Sequence, residues 1–521
     1  MTNGRLLWVD DEIELLRGHI VFLEKKGYDV QTCVSGADAI ETCRQNKFDL
    51  ILLDENMPGL SGLETLSAIK DITPSVPVVM VTKNEAEDLM DQAIGSQIAD
   101  YLLKPVNPHQ ILLTLKKNIH VETIRSETAG SAYRREFMQI DSLISQTLDI
   151  EGWMSLYKKL VRWEFELSDA PEAMNEMLRS QWHDAEKAFA AFVARHYEGW
   201  VAASPGERPL LSPDVISRRV FPSLRAGRQV VLMVFDNLRF DQWRVLSEEL
   251  SSEFDIDESL GLSILPTATG YARNAIFAGL MPAMIKKMYP HYWVEEEDEE
   301  GKNLHEEDLL REQLARYRRR EAFTYRKIND SQGAERLLGE FHAFTATPLS
   351  VLVVNFIDIL SHARTDSRMV RELFNDEAAY RSITRSWFRH TAIRELFQRL
   401  ATLDRDIIIT TDHGSVRATT PVKVVGDRHV NTNLRYKLGK NLSYNPREVF
   451  EARRPDLIGL PAPSLSSAYI FATGDSFFAY PNNYNHYVSY YRDTFQHGGI
   501  SMQEMLVPVC TLRSKSHTRE S

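Results

Sequence analysis

The chain has 521 residues, of which 43% are hydrophobic and 26% charged, a composition typical of globular proteins with about two to four domains. Its formal net charge of −12 argues against general nucleic-acid binding through a basic surface. The three cysteines form no CxxC pair, and we find neither a signal peptide nor an apolar run of the roughly 20 residues that span a bilayer. We therefore expect a cytoplasmic protein.

Short apolar runs alternate with helical patterns over the first 120 residues. The runs LLWV, FDLILL, VPVVMV and DYLL are each followed by polar side chains, namely Asp10 and Asp11, Asp54, Thr82, and Lys104. This alternation predicts an α/β domain with a parallel sheet, whose strand ends share one edge. Three carboxylates that meet there need a cation, and oxygen ligands suit Mg²⁺. With the metal bound, Asp54 can attack a phosphoryl group and Lys104 can pair with the phosphate.

This pattern resembles the response-regulator receiver domain, which has a flavodoxin-like fold, over about residues 4–120. The resemblance implies that Asp54 is the phosphoacceptor. It implies a Mg²⁺ site formed by Asp10, Asp11, Asp54 and the backbone carbonyl of Asn56. It also implies three switch residues, Thr82, Tyr101 and Lys104. We accordingly assign residues 1–120 to a receiver domain.

Residues 121–225 show apolar side chains at helical spacing and no convincing strand. The segments WMSLYKKLVRWEFEL and AMNEMLRSQWHDAEKAFAAFVARHY illustrate the pattern, and their aromatic side chains are most simply explained by packing between helices. We predict a helical bundle that links two domains. Such a bundle is suited to carry a signal or to form a dimer contact.

Strand patterns return from residue 226 and predict a second α/β domain over 226–521. The runs QVVLMVF, SVLVVNFI and DIIITT are each followed by aspartate, and histidines lie close to two of these positions and near the C-terminus. The residues are Asp236, Asp358 with His362, Asp412 with His413, and His497. A single strand-end aspartate often only begins a turn or caps a helix. Four such positions at successive strand ends should instead converge at one edge of a parallel sheet.

The mixture of imidazole and carboxylate favours Zn²⁺ or Mn²⁺ over Mg²⁺. Six ligands exceed the three protein ligands of a catalytic zinc. They fit two metals about 4 Å apart, which can clamp the attacking and leaving oxygens of a phosphoryl transfer. The stretch PTATG supplies two candidate nucleophiles, Thr267 and Thr269, at the start of a predicted helix, whose N-terminus favours phosphate. One turn on, Arg273 and Asn274 are candidate phosphate ligands, although a salt bridge explains Arg273 equally well.

The order of these residues and the tail HGGISMQEMLVPV resemble the PglZ branch of the alkaline phosphatase superfamily, over about residues 225–515. The resemblance implies two Zn²⁺ ions. One would be held by Asp358, His362 and His497, and the other by Asp236, Asp412, His413 and the Thr269 oxygen. Comparison of PTAT with the PTKT-type motif of the phosphodiesterase branch favours Thr269 over Thr267 as nucleophile. Residues 283–345 interrupt the α/β pattern and are predicted to form a cap insertion.

The segments WVDDEIELL and LDENMPGLSGLE and the tail HGGISMQEMLVPV resemble the PorX-like family of two-component response regulators, and the resemblance extends along the whole chain. The resemblance implies a partner sensor histidine kinase, control of type IX secretion and a phosphorylation-dependent homodimer. It also implies a phosphodiesterase that acts on cyclic or oligomeric nucleotides. Two alternatives remain open: a phosphomonoesterase, and a metal-stabilised module with little catalysis that contacts a sigma factor or a secretion component.

Overall fold

Two β-sheets, one of five strands and one of seven, organise the chain in the computed structural model. They lie in different units: the first contains Met1–Arg134 and Asp169–Pro171, and the second contains Arg135–Ser168 and Glu172–Ser521. The structure describes residues 4–74, 76–82, 98–119, 121–168, 170–295, 303–366, 376–426, 431–462, 464, 466–481 and 484–518. Within these ranges some side chains, including those of 121–129 and 362–366, are not described.

The first unit is a parallel sheet with helices on both faces. Its strands are β1 (Gly4–Val9), β2 (Tyr28–Cys33), β3 (Leu50–Asp54), β4 (Val78–Thr82) and β5 (Asp100–Leu103), in the order β2–β1–β3–β4–β5. Its helices include α1 (Arg17–Lys25), α2 (Gly36–Gln45), α3 (Gly62–Ile72) and α4 (Pro108–Ile119), and a 3₁₀ turn spans Ile13–Leu16.

Both faces of this sheet are buried. Leu6 and Leu50 belong to one apolar cluster, whereas Leu7 and Ile51 belong to another on the opposite face. Burial on both sides explains why the sequence shows continuous apolar runs instead of alternation. The predicted flavodoxin-like fold of this domain is confirmed.

Residues 121–225 are helical, and no strand occurs among those that the structure describes. The α-helices are α5 (Val121–Ser145), α6 (Ile150–Glu166), α7 (Glu172–Ala202) and α8 (Phe221–Arg225), with a 3₁₀ turn at Ser212–Asp214 and a π-helical turn at Ile216–Val220. Trp153 of α6 packs edge-on against Phe189 of α7, with ring centroids 5.5 Å apart. The predicted boundary at 225 does not separate compact units, because Arg135–Ser168 and Glu172–Ser521 belong to one unit. No helix in the described part of the chain is both long enough and apolar enough to cross a bilayer.

The second sheet has a parallel centre and an antiparallel side. Its strands are β6 (Val230–Phe235), β7 (Phe254–Asp257), β8 (Leu260–Leu262), β9 (Phe323–Ile328), β10 (Leu349–Val354), β11 (Asp406–Thr411) and β19 (Leu506–Ser514). The order is β7–β19–β11–β6–β10–β9, with β8 beside β19. Strands β9, β10, β6 and β11 are parallel, and β19 runs antiparallel to β11, β7 and β8.

Smaller sheets and further helices complete the second unit. The strands are β12 (Val416–Ala418), β13 (Thr420–Lys423), β14 (Tyr436–Gly439), β15 (Val449–Ala452), β16 (Ala468–Ala472), β17 (Ser476–Ala479) and β18 (Thr494–Gln496). The α-helices are α9 (Phe240–Leu250), α10 (Thr269–Ala278), α11 (Pro282–Met288), α12 (Glu306–Arg316), α13 (Ser331–Gly339), α14 (Phe341–Phe344), α15 (Phe356–Asp366), α16 (Glu377–Arg389), α17 (Ala392–Leu400), α18 (Tyr484–Tyr491), α19 (Met502–Met505) and α20 (Lys515–Thr518). The 3₁₀ turns are Pro290–Tyr292 and Pro455–Ile458.

The interpretation of residues 283–345 as a cap is wrong for much of this segment. Strand β9 extends the main sheet, where Phe323 pairs with Leu349 of β10. Leu310 of α12 lies in the same buried cluster as Leu232 and Val351 of the sheet. The sequence FTYRKI did not predict this strand, because an edge strand is only half buried and carries polar side chains. Residues 296–302 of the predicted cap lie outside the described part of the chain.

The core position of α12 predicts a large stability difference between two leucines. Leu310→Ala removes a fully buried side chain and should lower the free energy of unfolding of the second unit by about 2–5 kcal/mol. Leu304, which is 75% exposed, provides the matched control, and Leu304→Ala should change stability by less than about 0.5 kcal/mol. Denaturant unfolding followed by tryptophan fluorescence measures both. Equal stability of the two variants would contradict the placement of α12 in the core.

Candidate functional site

The carboxyl ends of β1, β3 and β5 assemble the predicted phosphoacceptor site in the first unit. Asp10 follows β1, Asp54 ends β3, and Lys104 follows β5. Lys104 Nζ lies 2.7 Å from Asp10 Oδ2 and 2.8 Å from Asp54 Oδ2. Asp10 and Asp54 are buried and Asp11 is exposed, yet one carboxylate oxygen from each lies within 4.8 Å of the others.

The burial of Asp10 and Asp54 explains why this site needs a cation. Burial raises the pKa of the Asp54 carboxyl, the Lys104 ammonium opposes this effect, and the Asp10 carboxylate adds to it. One lysine does not neutralise three acids, and the all-oxygen donor set fits Mg²⁺. Of the remaining predicted residues, Asn56 follows Asp54 by two residues, Thr82 ends β4, and Tyr101 lies in β5 with an exposed ring.

A second site forms where three adjacent parallel strands of the large sheet end. Asp236 directly follows β6, and Asp412 and His413 directly follow β11, which is paired with β6. Asp358 comes after β10 on the other side of β6, but it lies in the first turn of α15 and not at the strand end as the sequence suggested. The strand stops at Val354, so the apolar residues that follow it belong partly to the helix.

The first group of this site is buried and contains a hydroxyl. Ligand atoms of Asp236, Asp412 and His413 lie within 4.8 Å of one another. Thr269, the first residue of α10, places its Oγ1 3.1 Å from His413 Nε2 and 3.3 Å from Asp236 Oδ1. Thr269 is partly exposed, whereas the three candidate ligands are buried, so the hydroxyl lies on the accessible side of the group.

The second group adjoins the first. His497 Nε2 lies 3.9 Å from Asp358 Oδ1, and both side chains are partly exposed. The rings of His413 and His497 stack, with centroids 4.1 Å apart and planes inclined by 14°. His362, the third predicted ligand of this group, lies in α15, but its side chain is outside the described part of the structure.

Backbone carbonyls orient both imidazoles. His413 Nδ1 lies 3.0 Å from Gly414 O, and His497 Nδ1 lies 3.0 Å from Thr267 O. A carbonyl oxygen only accepts hydrogen bonds, so each Nδ1 carries a proton, and each Nε2 is the ring nitrogen that faces the carboxylates. This is the arrangement in which histidine serves as a metal ligand.

Arg273 holds the carboxylates of the first group instead of projecting toward a substrate. Its Nε donates to Asp412 Oδ2 at 3.0 Å, its Nη1 donates to Asn355 Oδ1 at 3.2 Å, and its Nη2 forms an ion pair with Asp236. The side chain is 1% exposed. These contacts support the salt-bridge explanation and not the bidentate phosphate contact. Asn274 is likewise buried and donates to Gly270 O within α10.

Thr267 is fully buried, and its side chain hydrogen-bonds to the loop that carries His497. Its Oγ1 donates to Gly499 O at 2.9 Å and accepts a hydrogen bond from Gly498 N at 3.0 Å. A hydroxyl engaged in this way has no path to a substrate. Of the two candidate nucleophiles, the geometry therefore favours Thr269 over Thr267.

Sequence reasoning missed Asn237, which connects the two groups. Its backbone N donates to Asp412 Oδ1, and its Nδ2 donates to Asp358 Oδ1, both at 3.3 Å. It adopts a left-handed conformation with φ of 61° and is fully buried. A strained buried residue commonly marks a functional site. The sequence signal that could have identified this residue is an asparagine directly after a strand-end aspartate, because asparagine tolerates positive φ.

The donor set fits a metal centre. Burial raises the pKa of Asp236 well above its ordinary value despite the opposing charge of Arg273. At Asp412 burial acts in the same direction, but His413 and Arg273 outweigh it and lower the pKa. Two buried carboxylates beside two correctly oriented imidazoles leave an acidic cluster that a divalent cation would stabilise. Mixed nitrogen and oxygen donors are the ligands of Zn²⁺.

Three family models match consecutive parts of the chain. Residues 6–116 match the response regulator receiver domain, and residues 123–201 match the PorX response regulator linker domain. Residues 215–512, more than half of the chain, match the BREX system PglZ alkaline phosphatase-like domain.

Individual relatives match about a quarter of the chain. The alginate biosynthesis transcriptional regulatory protein AlgB of Pseudomonas syringae is 38% identical over 143 residues, which are 27% of this chain and 32% of the relative. The transcriptional regulatory protein ZraR of Escherichia coli is 34% identical over 127 residues, 24% of this chain and 29% of the relative. The chain thus matches only about a third of the length of these relatives. A solved CheY-like receiver domain protein from Methanospirillum hungatei is 27% identical, with 22% of this chain and 92% of that chain covered and a TM-score of 0.22.

The three matches follow one another in the order receiver, linker and PglZ, and they agree with the two sites that the fold assembles. The chain belongs to the PglZ family, as a PorX-like response regulator whose output domain is alkaline phosphatase-like.

Proposed function

We propose that this response regulator is a phosphorylation-controlled, zinc-dependent phosphodiesterase that acts on cyclic or oligomeric nucleotides. The observation that supports the proposal most directly is the Thr269 hydroxyl at the N-terminus of α10, within hydrogen-bond distance of Asp236 and His413. A hydroxyl beside a buried set of aspartates and histidines meets the needs of metal-assisted phosphoryl transfer. A purely structural metal site would not need it.

The residues divide into two proposed Zn²⁺ sites. One would use Asp236, Asp412, His413 and the Thr269 oxygen, and the other Asp358, His362 and His497. When bound, the ions supply the positive charge that lowers the hydroxyl pKa and stabilises the phosphoryl oxygens. Arg273 keeps the two carboxylates of the first site in place, and the N-terminal end of α10, where Thr269 lies, favours an anion such as phosphate.

The proposed reaction proceeds in two displacements. Thr269 Oγ1 forms a bond to the phosphorus of a diester, the bond from phosphorus to one alcohol oxygen breaks, and the alcohol leaves with a proton. Water then attacks the phosphorus of the resulting threonyl diester, which still carries the second alcohol, the Thr269–phosphorus bond breaks, and a phosphomonoester is released. One water is consumed for each diester, and the threonine is regenerated.

The receiver domain supplies the proposed control. It implies a sensor histidine kinase as partner, and Asp54 is the proposed phosphoacceptor with Mg²⁺ held by Asp10, Asp11, Asp54 and Asn56. Phosphorylation would shift the population of receiver conformations, with Thr82, Tyr101 and Lys104 as the responding residues. By resemblance to the PorX-like family, we propose a phosphorylation-dependent homodimer and type IX secretion as the regulated process.

Removal of the Thr269 hydroxyl should abolish diester cleavage without loss of metal. Thr269→Ala should reduce hydrolysis of bis-p-nitrophenyl phosphate by about 1,000-fold or more, because the nucleophile is absent. Zn²⁺ content, measured on the same samples, should stay close to that of the wild type since Asp and His ligands remain. Thr269→Ser, which keeps a hydroxyl, is the matched control and should retain measurable activity.

The outcomes separate the alternatives. Faster cleavage of p-nitrophenyl phosphate than of the diester would indicate a phosphomonoesterase. No cleavage of either ester by zinc-loaded wild type would contradict the proposed enzymatic activity. It would favour a metal-stabilised interaction module, for which a sigma factor or a secretion component would be the partner.

Asp54 should be the residue that a small phosphodonor modifies. With acetyl phosphate and Mg²⁺, the wild type should gain one phosphoryl group by intact-protein mass spectrometry, whereas Asp54→Ala should gain none. Asp71, an exposed acid on α3, provides the control, and Asp71→Ala should react like the wild type. If phosphorylation changes neither the oligomeric state nor the rate of diester hydrolysis, the proposed coupling is contradicted.

A further inference from the structure

A buried acid of the helical region reaches the loop that carries His497. Glu186 lies in α7 with 7% of its surface exposed, and its two carboxylate oxygens accept hydrogen bonds from Met502 N at 3.1 and 3.0 Å. Met502 is the first residue of α19, so its amide has no acceptor within that helix. Glu186 satisfies this amide from 316 residues away in sequence.

The same short helix determines the path of the loop. Glu504 of α19 accepts hydrogen bonds from Gly499 N at 2.9 Å and from Ser501 Oγ at 2.7 Å. It also forms an ion pair with Arg435, and both side chains are fully buried. A shift of α19 would therefore move Gly499, and with it His497 two residues earlier in the chain.

Other contacts also connect helices α6 and α7 with segments near the predicted site, besides the hydrogen bond between Met502 N and Glu186. Tyr197 of α7 accepts a hydrogen bond from Leu265 N at 2.7 Å, four residues before Thr269. Glu164 of α6 pairs with Arg381 at 3.1 Å, and Arg381 pairs at 3.2 Å with Asp241, five residues after Asp236. Helix α7 thus contacts two segments that lead to or from the predicted site residues, and α6 is connected to a third through Arg381.

We propose that Glu186 is a positioning residue for the metal ligand His497, so that the helical region forms part of the scaffold of the metal centre. The inference rests on the proposed metal site, but it does not depend on diesterase activity. A merely space-filling role would be served better by an apolar side chain, since a buried carboxyl costs free energy unless it is hydrogen-bonded. The neighbouring buried residues of α7, Phe189 and Val193, are apolar as that role requires.

The raised pKa of the Glu186 carboxyl suggests a conservative replacement. Burial raises the pKa of this carboxyl to about 8, against the opposing hydrogen bond from Met502 N. A neutral acceptor of the same length should therefore serve nearly as well, because the position requires an oxygen that faces the amide and not a charge. Glu186→Gln meets that requirement, whereas Glu186→Ala removes the acceptor.

The test is the Zn²⁺ affinity of the full chain, measured by competition with a chromophoric chelator. Glu186→Ala should weaken binding of one Zn²⁺ about tenfold, at the low end of the effect of losing a group bonded directly to a ligand, because Glu186 acts on His497 through α19. Glu186→Gln should stay within about threefold of the wild type, because one neutral hydrogen bond is exchanged for another. Glu176, an exposed acid on the same helix, is the matched control, and Glu176→Ala should bind like the wild type.

A double variant distinguishes positioning from general destabilisation. In a His497→Ala background, Glu186→Ala should cause no further loss of Zn²⁺ affinity, because the ligand that it positions is gone. Equal losses in both backgrounds, or wild-type affinity in Glu186→Ala, would overturn the role of Glu186. Failure of the wild type to bind Zn²⁺ would overturn the metal site as well. If Glu186→Ala does not fold, Glu186→Asp replaces it, since it shortens the acceptor by one methylene and should weaken binding relative to Glu186→Gln.

Discussion

The burial of two facing carboxylates, Asp236 and Asp412, is the constraint on which the large domain depends. They lie at the ends of adjacent parallel strands, and Arg273 contacts both from within α10. Two acids so close together are stable in a buried position only beside cations and hydrogen-bond donors. Arg273 supplies part of that charge on one side, and the opposite side, where His413 and Thr269 lie, is the place suited to a metal ion.

The same constraint explains why the surroundings of the site are so polar and so strongly connected. Asn237 adopts a left-handed conformation and donates to Asp412 and Asp358, and carbonyl oxygens orient the rings of His413 and His497. Side chains that must hold charge in fixed positions require partners that are themselves held in place. The hydrogen bonds from α6 and α7 extend this support into the helical region, which consequently packs as part of the same unit.

The receiver site and the site of the large domain therefore form in the same way, although their side chains differ. In each, parallel strands end at a common edge and deliver acidic side chains there. The receiver site has carboxylates and one lysine, which suits a weakly held Mg²⁺ and a transient phosphoryl group. The large domain adds histidines and a hydroxyl, which suits tighter metal binding and turnover.

The sequence by itself determined the fold class, the location of most strand ends and most of the residues that the two sites bring together. Buried parallel strands are continuous apolar runs, so Asp10, Asp54, Asp236 and Asp412 could be placed at a sheet edge without coordinates. Strands β2 and β9 escaped prediction, because an edge strand carries polar side chains and its pattern is weak.

Only the tertiary structure decided which hydroxyl faces the site, what Arg273 contacts and how the helical region supports His497. Thr267 and Thr269 are two residues apart and chemically identical, and only the loop that packs on Thr267 distinguishes them. The hydrogen bond from Met502 N to the Glu186 carboxylate joins residues that are 316 positions apart. Local sequence encodes periodicity, but contacts between distant segments arise from the packing of whole elements, and no local pattern records them.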